Sequence, residues 1–150
     1  MKFQYRRATP LDATECVRIR GLTRENAIPE QRLATLGITA ESWAHDIKTE
    51  ALPGFICMAG AKMAGYCFGS SATGEVIVLA LQPEFERLGI GRELLRLVAA
   101  HLRTCGHERL FLGCSPDASV RSYGFYRHLG WHSTGKIDGH GDEVLELVRQ

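Results

Sequence analysis

The apolar residues of this chain fall into runs whose spacing changes, and each change of period marks a new element. The most regular run follows Gly89. There Ile90, Leu94, Leu97, Val98 and Leu102 recur at the three- and four-residue steps of one helix face, with Gly106 placed to close the helix. The preceding stretch, EVIVLALQP, is apolar almost throughout, which predicts a strand covered on both faces and stopped by Pro83. Two shorter runs, GFICMAG and MAGYCFGSS, flank a break at Ala61-Lys62 and predict a β-hairpin. After the long helix, RLFLGC predicts a buried strand and SVRSYGFYRHLG a shorter helix ending at Gly130. WHSTG and DEVLELV predict two closing strands, the latter alternating in polarity.

The first third of the chain is less periodic. Residues 2–8 alternate like a strand before Thr9, Pro10 and Asp12, which suit an N-cap, a first-turn proline and an acidic third position of a helix running to about Arg20. Ala13, Cys16 and Val17 form its apolar stripe, joined by the aliphatic stem of Arg20. The stretch 21–38 reads as a loop with a short helix. Thr39 can cap a further helix in which Trp43 and Ile47 share a face and Glu41 lies in the favourable first turn. The order β-α-α-β-β-β-α-β-α-β-β predicts an α/β (α+β) fold with a mixed sheet flanked by helices. Residues 1–150 read as one domain.

Composition narrows the partners. With 18 Lys+Arg against 17 Asp+Glu, the net charge of +1 exerts no general pull toward nucleic acid or an anionic membrane, so polyanion binding has to be local. The five cysteines are scattered and lack a CxxC spacing, which predicts reduced thiols, Cys114 among them as a core thiol. His101, His107, His128, His132 and His140 form no HxH or HExxH pair, so no metal is expected. The sequence contains no apolar run long enough to span a bilayer and no apolar signal core, which predicts a cytoplasmic protein without a membrane partner.

One stretch carries chemistry: EFERLGIGRELL. Glycines at a helix start expose unpaired backbone N–H groups at a positive dipole end, where phosphate binds well. Gly89 and Gly91 would let an anion approach the backbone, and Arg87 and Arg92 flank it with charged donors. A purely structural turn accounts for the same glycines. A P-loop would need GxxxxGK[ST], and a dinucleotide fingerprint would need glycine where Leu94 stands; neither string is present.

Taken together, LALQPEFERLGIGRELL and SVRSYGFYRHLGW resemble the GNAT family of acetyl-CoA-dependent N-acetyltransferases. The resemblance implies a mixed, mostly antiparallel central sheet of about seven strands flanked by about four helices. It also implies that Arg87, Leu88, Gly89, Ile90, Gly91 and Arg92 grip the CoA pyrophosphate, with Ser119 a further cofactor contact. Leu79, Ala80 and Leu81 would pair with pantetheine and supply a backbone N–H to the thioester oxygen. Glu86 stands where the family usually has Gln or Arg, Ser119 where it has Asn, and Ser122 where it has Ala. A carboxylate common on the strand before the last helix is replaced by Gly113.

Acyl transfer to an amine requires a neutral amine, although a lysine-like amine of pKa about 10.4 is neutral only about once in a few thousand molecules at pH 7. By resemblance Glu75 is the candidate base, with water relayed to backbone carbonyls as the alternative. Tyr126, at the family's tyrosine, is the candidate acid toward the CoA thiolate, since a phenol of pKa about 10 is protonated at neutral pH. Arg24 and Glu25 fall in the loop that borders the acceptor site in this family. The implied activity is acetyl transfer from acetyl-CoA, as co-substrate, to a primary amine of a small molecule or peptide, by direct attack in a ternary complex. A non-catalytic acyl-CoA sensor or scaffold of the same fold is the alternative. The family's last strands often join a homodimer, for which DEVLELV offers a candidate edge.

Overall fold

The computed structural model describes residues 2–148. Strand β1 (Phe3–Arg7) leads through a single 3-10 turn into α1 (Ala13–Arg20), followed by α2 (Glu30–Thr35) and α3 (Ala40–Lys48). Strands β2 (Gly54–Ala59), β3 (Lys62–Gly69) and β4 (Val76–Leu81) precede the long α4 (Ile90–Thr104). The remainder is β5 (Arg109–Cys114), α5 (Arg121–His128), β6 (His132–Ile137) and β7 (Glu143–Val148).

The local signals explain most of these boundaries. Thr39 Oγ1 accepts from Ser42 N–H at 3.0 Å and Ser42 Oγ accepts from Thr39 N–H at 2.9 Å, a reciprocal cap for α3. The Asp12 carboxylate accepts from Thr9 N–H at 2.8 Å and takes two further 2.8 Å bonds from Arg6. Burial alone would raise the Asp12 pKa, but the Arg6 and Thr9 hydrogen bonds outweigh it and hold the carboxyl below its ordinary value.

Among the described residues seven strands are present, in two antiparallel sheets rather than one, ordered β1-β2-β3-β4 and β5-β7-β6. The helices number five among the described residues, because the short helix in 21–38 is a full element, α2. β7 is the inner strand of its sheet, paired with β5 on one side and β6 on the other, so DEVLELV is not an edge; the outer strands are β5, which faces β4, and β6.

The expectation that β4 is covered on both faces also needs correction. Ile77 is 47% exposed, and Val78, Leu79 and Leu81 are half-buried. One flank of β4 pairs with β3, in the register Leu79–Cys67, Ala80–Tyr66 and Leu81–Gly65. The other meets β5 only through a parallel bridge between Glu75 and Phe111, beside which Phe111 N–H donates to Gly74 O at 3.3 Å. Beyond that bridge the two strands part, and the apolar side chains of β4 line a cleft instead of a second layer. Gly65 keeps β4 close to β3: a Cβ there would lie 2.5 Å from Ala80 O and 2.3 Å from Leu81 Cδ2.

The first sheet is packed on both faces. Leu94, Val98 and Leu102 of α4 are almost fully buried in one cluster with Leu110, Leu112 and Leu145 of the second sheet. On the opposite face, Trp43 meets the rings of Tyr66 and Phe68 edge-on at 5.6 and 5.4 Å, and Tyr66 Oη donates to Cys16 O at 2.8 Å. α4 therefore binds the two sheets together behind the cleft while leaving its front open.

Candidate active site

The cleft between β4 and β5 has a volume of about 440 Å³. Its floor is the unpaired flank of β4, where Val78, Leu79 and Leu81 face it. An extended backbone without a strand partner offers a row of N–H and C=O groups, a template for an added strand-like segment.

At one end, β4 runs through Gln82 and a short turn into α4. Gly89, the residue before α4, has φ +82°, a region glycine occupies without strain, and Arg87 sits at φ +64°. Ile90 is buried in the core, so only its backbone can meet a ligand. Gly91 lines the cleft, and a Cβ there would lie 3.5 Å from Phe125 of α5. Arg87, Leu88 and Arg92 are exposed, and among the described residues neither arginine has an acidic partner. Gly89 and Arg92 line a second groove, of about 480 Å³, between α4 and Leu129, Trp131 and Leu147.

α5 forms the facing wall. It is fixed to β7 by Arg127, which donates to Glu143 at 2.5 Å and lies 3.7 Å over the Tyr123 ring. Tyr126 faces the cleft, its ring edge-on to Phe125 at 5.0 Å and Trp131 at 6.2 Å. Burial, reinforced by the nearby Cys67 and Cys114 thiols, raises its pKa well above the ordinary phenol value. The group therefore keeps its proton at neutral pH. Ser122 also lines the cleft, and its Oγ is buried with no hydrogen-bond partner among the described residues. Ser119 is not brought there: it lies exposed in the turn before α5 and gives both its N–H and its hydroxyl to Asp117 Oδ1, at 2.9 and 2.8 Å.

At the other end, Glu75 sits half-buried at the head of β4, beside the residues that line the cleft rather than among them. Burial and then the field of Asp138 raise its pKa, with His140 opposing. Asp142, by contrast, lines the cleft itself, and burial and Asp138 raise its pKa too. Both aspartates belong to the β6–β7 hairpin and lie over Gly113. A Cβ at Gly113 would come within 2.8 Å of Asp138 Oδ2 and 3.6 Å of Asp142 Oδ2. The hairpin thus supplies carboxylates at the place on β5 where the sequence has none. The available signal was the pairing of that bare glycine with the Asp-rich turn IDGHGDE.

Arg24 and Glu25 both line the cleft mouth, as do Glu86 and Arg121. Among the described residues no group of three or more His, Cys, Asp and Glu is arranged to hold a metal ion, and no helix is long and apolar enough to cross a membrane. Cys114 is buried, in line with a core thiol.

The profile of the acetyltransferase (GNAT) family matches residues 22–131, and the chain belongs to that family. It is 42% identical over 65 residues to mycothiol acetyltransferase of Geodermatophilus obscurus; the match takes in 40% of this chain but only 21% of that much longer protein. Its fold is similar to that of PaiA N-acetyltransferase from Thermoplasma acidophilum, solved in complex with coenzyme A, with a TM-score of 0.81 at 18% identity over 99% of each chain. It is likewise similar to the ribosomal-protein-S18-alanine N-acetyltransferase of Escherichia coli, with a TM-score of 0.73 at 18% identity over 99% of this chain and 96% of that one.

Proposed function

We propose that residues 1–150 form one N-acetyltransferase domain that moves an acetyl group from acetyl-CoA to a primary amine by direct attack in a ternary complex. The observation that carries this reading is the unpaired flank of β4 running into a glycine-bearing helix start, with a protonated tyrosine facing it from α5. The PaiA relative, whose fold this chain shares, was solved with coenzyme A, which supports the cofactor assignment.

Bound acetyl-CoA would supply an activated acetyl thioester. Backbone N–H groups of residues 87–91 and the side chains of Arg87 and Arg92 would hold its pyrophosphate, and the free backbone of Leu79, Ala80 and Leu81 its pantetheine. A β4 N–H in the same stretch would stabilise the charge that develops on the thioester oxygen. As the C–N bond forms and the C–S bond breaks, Tyr126 would give its proton to the departing CoA sulfur and regain one from the acylated nitrogen. The ammonium proton of the acceptor passes to the carboxylates at the hairpin end, Glu75 at the head of β4 with Asp142 nearer the cleft, and the neutral amine then attacks. The Ser122 hydroxyl is better placed than Ser119 to bond the cofactor. Arg24 and Glu25 border the acceptor. The protein is read as cytoplasmic, and a homodimer would pair through the open edge of β6.

Calorimetry with acetyl-CoA tests the first step: micromolar binding is expected, and its absence overturns the reading. Release of CoA thiol with a panel of primary amines tests the second. Binding without release for any amine favours the sensor or scaffold.

A further inference from the structure

Three segments far apart in sequence meet at Glu86. Arg24, from the loop between α1 and α2, donates to its carboxylate at 2.7 Å, and Arg121, the first residue of α5, pairs with the same carboxylate. Glu25 adds a second tie by accepting the Arg121 N–H at 3.1 Å. The Glu86 side chain is only 10% exposed, whereas Arg24 and Arg121 are 60% and 45% exposed. A largely buried acid is thus gripped by two arginines reaching in from the rim.

A carboxylate at this point has two opposed effects. It fastens the 21–29 loop and the start of α5 to the turn that leads into Gly89. It also sets a negative charge beside the anion-binding end of the cleft and engages two guanidinium groups that would otherwise attract a phosphate. Resting on the acetyl-CoA reading of that cleft, we infer that Glu86 is a positioning residue that latches the 21–29 loop over the site and, by the same charge, weakens the hold on the cofactor.

The test uses the full chain and two measurements: amide hydrogen exchange across residues 21–29 and calorimetric affinity for acetyl-CoA. Glu86→Gln keeps the shape and removes the charge. Exchange across the loop should become severalfold faster, while acetyl-CoA should bind roughly tenfold tighter, the order contributed by one like charge near a partly buried anion. Opposite signs are the signature, because ordinary packing damage would loosen the loop and weaken binding together. Glu86→Asp, which retains the charge, should return both values toward wild type. Arg24→Gln cuts the loop arm from its exposed side and serves even where the Glu86 variants fold poorly; it should speed exchange but weaken acetyl-CoA, since Glu86 is then less neutralised. Unchanged exchange across 21–29, or affinity that is equal or weaker in Glu86→Gln, overturns the proposal. A wild type that binds no acetyl-CoA removes the acetyl-transfer reading and the affinity half with it, while loop exchange still decides whether Glu86 acts as a latch.

Discussion

At its α4 end the cleft is made of backbone: the free flank of β4 and Gly91 in the first turn of a fifteen-residue helix, with the left-handed Gly89 just outside it. At its hairpin end it is made of side chains: Asp138 and Asp142 of the β6–β7 hairpin lie over Gly113, and Glu75 at the head of β4 feels the charge of Asp138. Backbone groups are held by the hydrogen-bond ladder of the fold and change little when one residue is replaced. Side-chain groups hold each other through charge and burial, so one substitution alters the pKa of its neighbours. The first kind of site suits a ligand that is always the same. The second suits one that differs between related proteins.

Perturbing one end at a time sharpens this contrast. The largest effect is expected where the two ends meet. Tyr126→Phe should lower kcat by about 10²–10⁴-fold, the range for a positioned general acid, and leave the acetyl-CoA dissociation constant unchanged; a similar loss in affinity would reduce Tyr126 to a packing residue. Next is Gly89→Asp, which brings a carboxylate to the backbone end in a residue type that tolerates positive φ. Calorimetry should record about a hundredfold weaker binding of acetyl-CoA, roughly 2.7 kcal/mol, with circular dichroism unaltered. Equal binding would mean that the helix start does not meet the cofactor.

A control lies away from both ends. The Asp12 pKa is depressed in the fold, so its contribution to stability is present above the ordinary value of 3.8 and is lost as the pH falls through the folded value. Asp12→Asn should therefore cost about 1 kcal/mol at pH 7 and progressively less in acid, read from urea midpoints across pH. A constant cost would rule out the charge as its source.

The hairpin end should respond more gently. Asp138→Asn removes one of the influences that raise the Glu75 and Asp142 pKa values, so the acid limb of the acetyl-transfer pH profile should move to lower pH with acetyl-CoA affinity unchanged. An unmoved limb would place the base elsewhere. Ser122→Ala is the smallest. Removing a buried, unpartnered hydroxyl should raise the melting temperature slightly and weaken acetyl-CoA binding about threefold, within the range of one ordinary hydrogen bond. A gain in stability alone would exclude Ser122 from the cofactor site.

The backbone end was readable because its signal is local. Gly89, Gly91 and the Ile90–Leu102 stripe lie within fifteen residues, and a helix start with glycines looks the same in sequence as in space. From its apolar pattern β4 was readable only as a covered strand, because a hydrophobic side chain satisfies a core and a groove equally well; the free flank at Leu79–Leu81 was expected from the family resemblance alone. Ser119 and Ser122 could not be told apart in sequence because that depends on helix phase: α5 begins at Arg121, which leaves Ser119 in the turn and Ser122 facing the cleft. Asp142 could not be read at all from local pattern, since its closeness to Gly113 arises from strand pairing across β5 and β7. Glu86 was visible as a departure from the family pattern, but its two arginine partners emerge only when the α1–α2 loop and α5 are folded against it.

The single bridge between Glu75 and Phe111 has a further consequence. Because the sheets meet at the front through one pair of residues and are joined behind by the core under α4, the three-stranded half can accept insertions, deletions or recharging of its hairpin without disturbing the ladder that presents β4. The hairpin that carries Asp138 and Asp142 is thus mechanically separate from the strand flank it faces. Swapping that turn between relatives is then a modular operation.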